Sequence, residues 1–539
     1  MTLIAGRPAR GPLGALLAAL LGVVVISACG EDDGAVGSAR EAAPADTVLY
    51  AEATIRPEGE QREQLDSVLE RFGGVDPGEL IVGQLDAAAA DDGVDFSYSE
   101  DIEPWLGERA AVFFLDFAGG YPGEISLEGA TDDDENVALM VESTDDEAAR
   151  AAIEKALEAE GGGTEESSGD RDYLLTEDGT AVAIEDGLVI FGSVTSLEAA
   201  FETLDGGAAL VDDEGFSSQL DSEALDESLA SLWVDVAAAI ESEGGVDEED
   251  RAIFESFAPS LLETPVTATV EVGDDDVALD LSYGSFGELG SFAYIGGSSP
   301  LLGELPGDAW AATATPDLGE SYTRLLDVVA ENPDLPADST AQLDFFRSQV
   351  EAATGVSLDQ ALAAIGDIGL FVRGSAPEQL EGALVIEVAD EAVASKLLDL
   401  ARTALGSEPG AQVREVEIAG ASGVAIRTPG APREIVAVLD RDRAVVAYGT
   451  AAAEDALAPA QALGDTELFG AASEDLGDET PLSSLVDLGP AIDLIAASEG
   501  VGAAELALAE SYIQAFDFLA VGSSDDGEVG RSRIVIGLD

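Results

Sequence analysis

The feature that most limits how this chain can fold is that its pattern is written twice. Segments recur at an offset of about 245 to 262 residues along the 539-residue sequence. PADTVLYAEATIRPEG from Pro44 is answered by PGDAWAATATPDLG from Pro306, and WLGERAAVFF from Trp105 by AIGDIGLFV from Ala364. VALMVESTDDEAARAAIEKA from Val137 corresponds to GALVIEVADEAVASKLLDLA from Gly382. DGLVIFGS from Asp186 corresponds to DRAVVAYG from Asp442, and LASLWVD from Leu229 to LSSLVD from Leu482. A repeat this long is not a short-period solenoid. It predicts two tandem, duplicated domains, 44–290 and 308–539, with the Gly/Ser/Pro-rich stretch 291–307 between them.

Within each copy the hydrophobic period switches between two and 3.6. Val137–Glu142 reads as a short apolar strand. Thr144 followed by Glu147 fits a capping box, and Ala149, Ala152, Ile153 and Ala156 share one helical face. Thr180–Ile184 and Leu188–Phe191, split by Glu185-Asp186-Gly187, read as a hairpin. A helix over Ser196–Leu204 and a strand over Ser231–Val236 follow, and each copy ends in two strand-like runs, Pro265–Tyr283 and Phe518–Leu538. The class is therefore α+β: in each domain a mostly antiparallel sheet with helices on one face. The order β-α-β-β-α-β admits a ferredoxin-like unit, widened by strands such as Ala110–Asp116.

Composition narrows the chemistry. With 110 acidic against 23 basic residues the net charge is −87. Such a surface repels nucleic acid, whose phosphates need Lys and Arg clusters, so no nucleic-acid partner is expected. No histidine occurs and there is one cysteine, which excludes Ser-His-Asp and Cys-His nucleophile systems, His-ligated zinc or haem, and any internal disulfide.

That cysteine, Cys29, ends an export-like leader. Arg7 and Arg10 give a positive start, and Leu13–Ile26 is an apolar run suited to a signal peptide and short for a membrane span. Ile26-Ser27-Ala28-Cys29 resembles a bacterial lipobox, in which cleavage precedes the cysteine and its sulfur carries a diacylglyceryl group. On this reading residues 1–28 are a signal peptide and 29–43 an acidic flexible tether. The protein is then exported and held at the outer face of the cytoplasmic membrane through acyl chains on Cys29.

DTVLYAEATIRPEG, DIEPWLGERAAVFF and DGLVIFGS, behind that lipobox, resemble the domain of unknown function 3352 family, exported proteins mostly of high-GC Gram-positive bacteria. EPWLG (Glu103–Gly107) is the most specific piece of the likeness. The resemblance implies an address and an architecture. It implies no catalytic residues, since the family has no assigned activity.

The remaining candidates are few. Trp105 in EPWLG fits either a ligand contact or a wedge beneath a sheet edge, and the second copy replaces it with Ala364. Asp132, Asp133 and Asp134, and Asp274, Asp275 and Asp276, are carboxylate runs that could offer calcium its oxygens but lack EF-hand spacing, so solvated turns are the plainer reading. Calcium aside, no cofactor is expected. Lys155 and Lys396, the only lysines, sit in charged helical surroundings. No nucleophile elbow, P-loop or dinucleotide fingerprint occurs. The expected function is a non-enzymatic, lipid-anchored binding or scaffold protein for a lipid, an envelope polymer or a partner protein. Its alternatives are a carboxylate-based hydrolase, with or without calcium, and a purely structural surface component.

Overall fold

The computed structural model describes residues 38–71, 82–83, 86–87, 96–116, 136–160, 162–177, 179–220, 222–242, 259–285, 297–331, 337–406, 410–496 and 515–538. Among these, no helix is long and apolar enough to cross a membrane. The chain forms two compact units, one from the sequence up to Asp247 with Leu262–Asp274, the other from Glu248–Leu261 with Asp275–Asp539.

The first unit contains β1 (Leu49–Thr54), α1 (Gly59–Arg71), β2 (Leu106–Phe114), β3 (Val137–Ser143), α2 (Asp146–Glu160), β4 (Thr164–Ser168), β5 (Arg171–Leu175), β6 (Ala181–Glu185), β7 (Leu188–Gly192), α3 (Val194–Leu204), β8 (Ala230–Val234) and β9 (Val266–Val272). The strands pair antiparallel throughout, in the order β4-β5-β6-β7-β3-β2-β1-β8-β9. The β6–β7 hairpin turns on Asp186 (φ 52°) and Gly187 (φ 81°), the left-handed pair that a two-residue turn needs to match strand twist.

The α+β class and antiparallel sheet are as expected, with two departures in detail. Helices cover both faces of this sheet, not one. Leu139, Val141, Val182, Ile184, Val189 and Phe191 pack under Ala149, Ala152, Ile153 and Leu157 of α2. Their strand neighbours Ala138, Met140, Ala181, Ala183, Leu188 and Ile190 pack under Leu197, Ala200 and Phe201 of α3. The reason is legible in β3 and β7, which are apolar at successive positions as doubly buried strands are. The ferredoxin-like order also does not form: β8 pairs with β1, so β1 and β2 stand between β3 and β8, and the polar hairpin β4–β5 extends the other edge.

Two local expectations shift as well. Asp145, not Thr144, caps α2: its Oδ1 accepts from the Glu147 and Ala148 amides at 3.1 and 3.0 Å, a cap worth about 1 kcal/mol. Thr144 instead donates through its amide to the Trp105 carbonyl at 2.8 Å. Part of the stretch read as tether is folded. A short helix, Ala39–Ala42, is docked with Ala39, Ala42 and Ala43 in the α3-side core.

The second unit contains β10 (Asp276–Gly284), β11 (Ala311–Thr315), α4 (Leu318–Glu331), α5 (Ala337–Thr354), β12 (Ile365–Arg373), β13 (Glu381–Val388), α6 (Glu391–Gly406), β14 (Gln412–Ile418), β15 (Ala421–Arg427), β16 (Ile435–Asp440), β17 (Arg443–Tyr448), α7 (Thr450–Leu457), α8 (Glu467–Leu476), β18 (Leu482–Asp487), β19 (Phe516–Asp525) and β20 (Val529–Leu538). Its antiparallel order is β14-β15-β16-β17-β13-β12-β11-β18-β19-β20-β10. The strand β10, which directly follows the first unit in sequence, pairs along its whole length with β20. The main core lies on one face, where Ala452, Ala453 and Ala456 of α7 and Ala472 and Leu476 of α8 meet Phe371, Val385, Val436, Val438 and Val445.

Candidate ligand-binding face

The two sheets treat one row of side chains differently. In the first unit Val112, Leu139, Phe191 and Val182 stand in register across β2, β3, β7 and β6. In the second, Leu370, Leu384, Val446 and Ala437 stand in register across β12, β13, β17 and β16. The first row is sealed over β3, β7 and β6, with Leu139 5%, Phe191 2% and Val182 1% exposed, while Val112 is partly buried, and burying Phe191 alone contributes about 2–3 kcal/mol. The second row is open over β12, β13 and β17, with Leu370 45% and Val446 42% exposed on strands inside the sheet and Leu384 half-buried, and only Ala437 at its end is buried.

What seals the first row is aromatic bulk ahead of β2. A π-helical turn, Tyr98–Ile102, leads to Trp105, and Tyr98, Ile102 and Trp105 join α2 over Leu139 and Phe191. Trp105 is fully buried. Its Nε1–H donates to the Asp101 carbonyl at 2.7 Å, and the Asp101 carboxylate takes the Lys155 ammonium at 2.6 Å. Trp105 thus offers a ligand no surface, and Lys155 is held in an ion pair. Ahead of β12 the corresponding residue is Ala364, too small to reach across the sheet. Farther along the face, Leu398 of α6 packs against Val424, Ile426 and Ala437.

The result is an open apolar groove of about 420 Å³, within the range of small-ligand sites. Leu370, Val372, Leu384, Ile435, Val446 and Tyr448 line it. Its one acid, Glu381, is already neutralised: Arg373 Nη2 donates to Oε2 at 2.8 Å and Arg433 Nη1 to Oε1. Arg373 also holds Asp455 at 2.6 Å and Asp308 at 3.0 Å. A single exposed Leu needs no explanation, but a contiguous apolar row does. A second, larger groove of about 760 Å³ beside α6 is walled by Asp399, Glu415, Glu417, Arg402 and Arg441; all five are exposed, so it presents a hydrated polar surface.

The first unit has buried ionisable groups of its own. Glu52 accepts from Arg40 Nη2 and Arg109 Nη1, each at 2.7 Å, and from the Tyr50 hydroxyl at 2.5 Å. These partners outweigh burial and hold its carboxyl below the usual range. Glu142 on β3 behaves oppositely. Burial, followed by the nearby Glu52 and Glu108 charges, pushes its carboxyl up to about 7, although its Oε2 accepts from the Arg109 amide. It packs against Gly107, where an added Cβ would lie 2.6 Å from the Glu142 Cβ. In the second unit Gly366 approaches Glu387 in the same way, at 3.3 Å.

The other sequence candidates gather at no common site. Asp274 and Asp275 lie in the turn before β10 and Asp276 begins it. The Asp274 carbonyl accepts from Ser67 and Arg71. Among the described residues no group of three or more acidic side chains is arranged to hold a metal. Asp132, Asp133 and Asp134, and Ile26, Ser27, Ala28 and Cys29, lie outside the described residues. Sequence reasoning missed Leu370, Leu384 and Val446. The one signal was the loss of the tryptophan at Ala364.

Comparison with known proteins adds little chemistry. No curated protein matches the chain. Among solved structures, crystal form IV of TP0453 is similar at 12% identity with a TM-score of 0.24, covering 46% of this chain and 80% of that one. Crystal form I of TP0453 gives 9% identity and a TM-score of 0.18, covering 79% and 98%. Scores this low bear on neither fold nor function. The family described as "Protein of unknown function (DUF3352)" matches residues 82–531, most of the sequence, and the chain belongs to that family.

Proposed function

We propose that this chain is a non-enzymatic, lipid-anchored envelope protein, held by acyl chains on Cys29, whose second unit binds an acyl chain of a membrane amphiphile. The observation that carries the reading is the open row Leu370–Leu384–Val446, apolar and in register with itself, where the first unit buries Leu139 and Phe191 at the places of Leu384 and Val446. Leaving Leu370 and Val446 half-exposed forgoes roughly 1 kcal/mol of burial each, which a bound chain would recover. The shared strand order of the two units supports their descent from one duplicated domain, with the first copy specialised for stability and the second for binding.

The test is titration of the mature chain, carrying Cys29→Ala so that it is soluble, with a fluorescent long-chain fatty acid. Saturable binding is expected, weakened at least about tenfold by Val446→Lys, which puts a charge into the groove at a cost above 1.4 kcal/mol. Binding that is absent, or indifferent to Val446→Lys, overturns the reading. For the anchor, cell fractionation of Cys29→Ala should move the protein out of the membrane fraction.

A further inference from the structure

The docked Ala39–Ala42 helix makes any anchor at Cys29 short. Between the Cys29 sulfur and the buried Ala39 lie ten residue steps, which span at most about 35 Å even when fully extended. The attachment is firm. Ala39, Ala42 and Ala43 are buried against the sheet. Arg40 is pinned to Glu52 at 2.7 Å and reaches Asp226 at 3.3 Å, and the Ala43 carbonyl accepts from the Leu210 amide at 2.8 Å. A compact unit of roughly 220 residues has a diameter of about 45 Å, from the scaling of radius of gyration with length. The leash is therefore shorter than the body it holds.

That inequality selects an orientation. The docked helix lies on the α3 side of the sheet, sharing its core with Leu197, Ala200 and Phe201. The α2 helix and Trp105 lie on the opposite side. Were the α2 side turned to the bilayer, the attachment point would lie on the far side of the sheet from the lipid, and a leash of at most about 35 Å would have to run round a body about 45 Å across to reach it. We propose that the first unit is moored with its α3 face toward the lipid surface and its α2 face outward, a placement that rests on the anchor at Cys29. The surface beside the mooring is acidic, with Glu41, Asp226 and Glu227 exposed. An anionic leaflet repels it within a Debye length of about 10 Å at 0.1 M salt.

The test uses the full lipidated chain in zwitterionic vesicles carrying acceptor dye on the lipid headgroups. A donor is placed either at Glu41→Cys, beside the mooring, or at Glu154→Cys, on the exposed side of α2. Energy transfer should be severalfold stronger from position 41. Inserting a long Gly/Ser segment between Gly34 and Ala35 should abolish the difference. Equal transfer from both sites in the uninserted chain, or a difference that survives the insertion, overturns the mooring. Absence of a diacylglyceryl-modified Cys29 peptide by mass spectrometry overturns the anchor itself and with it the leash. The fatty-acid titration of the soluble chain is unaffected by either result, so failure of the binding reading remains separable.

Discussion

Glu142→Gln should stabilise the first unit, and only where the carboxyl is charged. The side chain sits on β3 against the Gly107 backbone, with Glu52 and Glu108 near enough to oppose its ionisation. A carboxyl that ordinarily titrates near 4.5 and here titrates near 7 favours its neutral form by at most about 3 kcal/mol. Partial exposure reduces the usable share to about 1–2 kcal/mol. Because the folded state holds this proton more tightly, the contribution is fully present below about pH 4.5 and is lost as pH rises through 7. Glutamine keeps an oxygen for the Arg109 amide and carries no charge. At pH 8 the variant should therefore melt roughly 3–6 °C above the parent, with the gap closing toward pH 4.5. Tryptophan fluorescence is a suitable readout, since Trp105 and Trp233 are both buried in this unit. Equal melting temperatures at pH 8, or a gap of the same size at pH 4.5, would show that Glu142 is not charged at a cost in the fold.

Four further substitutions probe the same construction. Gly107→Ala places a Cβ 2.6 Å from the Glu142 Cβ and 2.9 Å from its backbone, so denaturant melts should show a loss of about 1–3 kcal/mol, with a smaller loss for Gly366→Ala. Trp105→Ala should cost about 3–5 kcal/mol of stability; if it also weakened fatty-acid binding under conditions where the protein remains folded, the separation of core from binding face would be wrong. Glu52→Ala leaves Arg40 and Arg109 without their shared carboxylate, and urea unfolding should register about 3–5 kcal/mol; a loss below about 1 kcal/mol would mean the cluster is well hydrated.

Much of the sheet could be read from the sequence because its strands are unbroken apolar runs and its best hairpin carries Asp186-Gly187 where left-handed backbone is required. Other features depended on what lies opposite. The hairpin β4–β5 was missed because TEESS at its edge has no apolar alternation. Ala39–Ala43 resembled a tether, since alanines and charges suit either state, and only the small residues Ala111 and Ala138 beneath make room for them. The binding face was hidden for the same reason. GALVIEV and RAVVAY read like the buried VALMVES and LVIFG. Nothing within those stretches says that the cover, Trp105 in one unit and Ala364 in the other, is missing.

The pairing of β10 with β20 bears on how the chain is made. The second sheet is closed by its first strand, synthesised before Gly296, and its last, which ends at Leu538; Tyr283 and Ser532, joined at 2.9 Å, are 249 residues apart. Few contacts are slower to form than those spanning so much sequence. As the chain emerges from amino to carboxyl end, β10 must wait, unpaired with β20, until synthesis is almost complete. A fragment begun at the Gly/Ser/Pro stretch would lack β10 altogether and leave the full length of β20 as a bare edge, ready to pair with another copy. Recombinant work on the second unit should therefore start before Asp275, and a truncation that removes β20 should leave an aggregation-prone product with β10 unpaired.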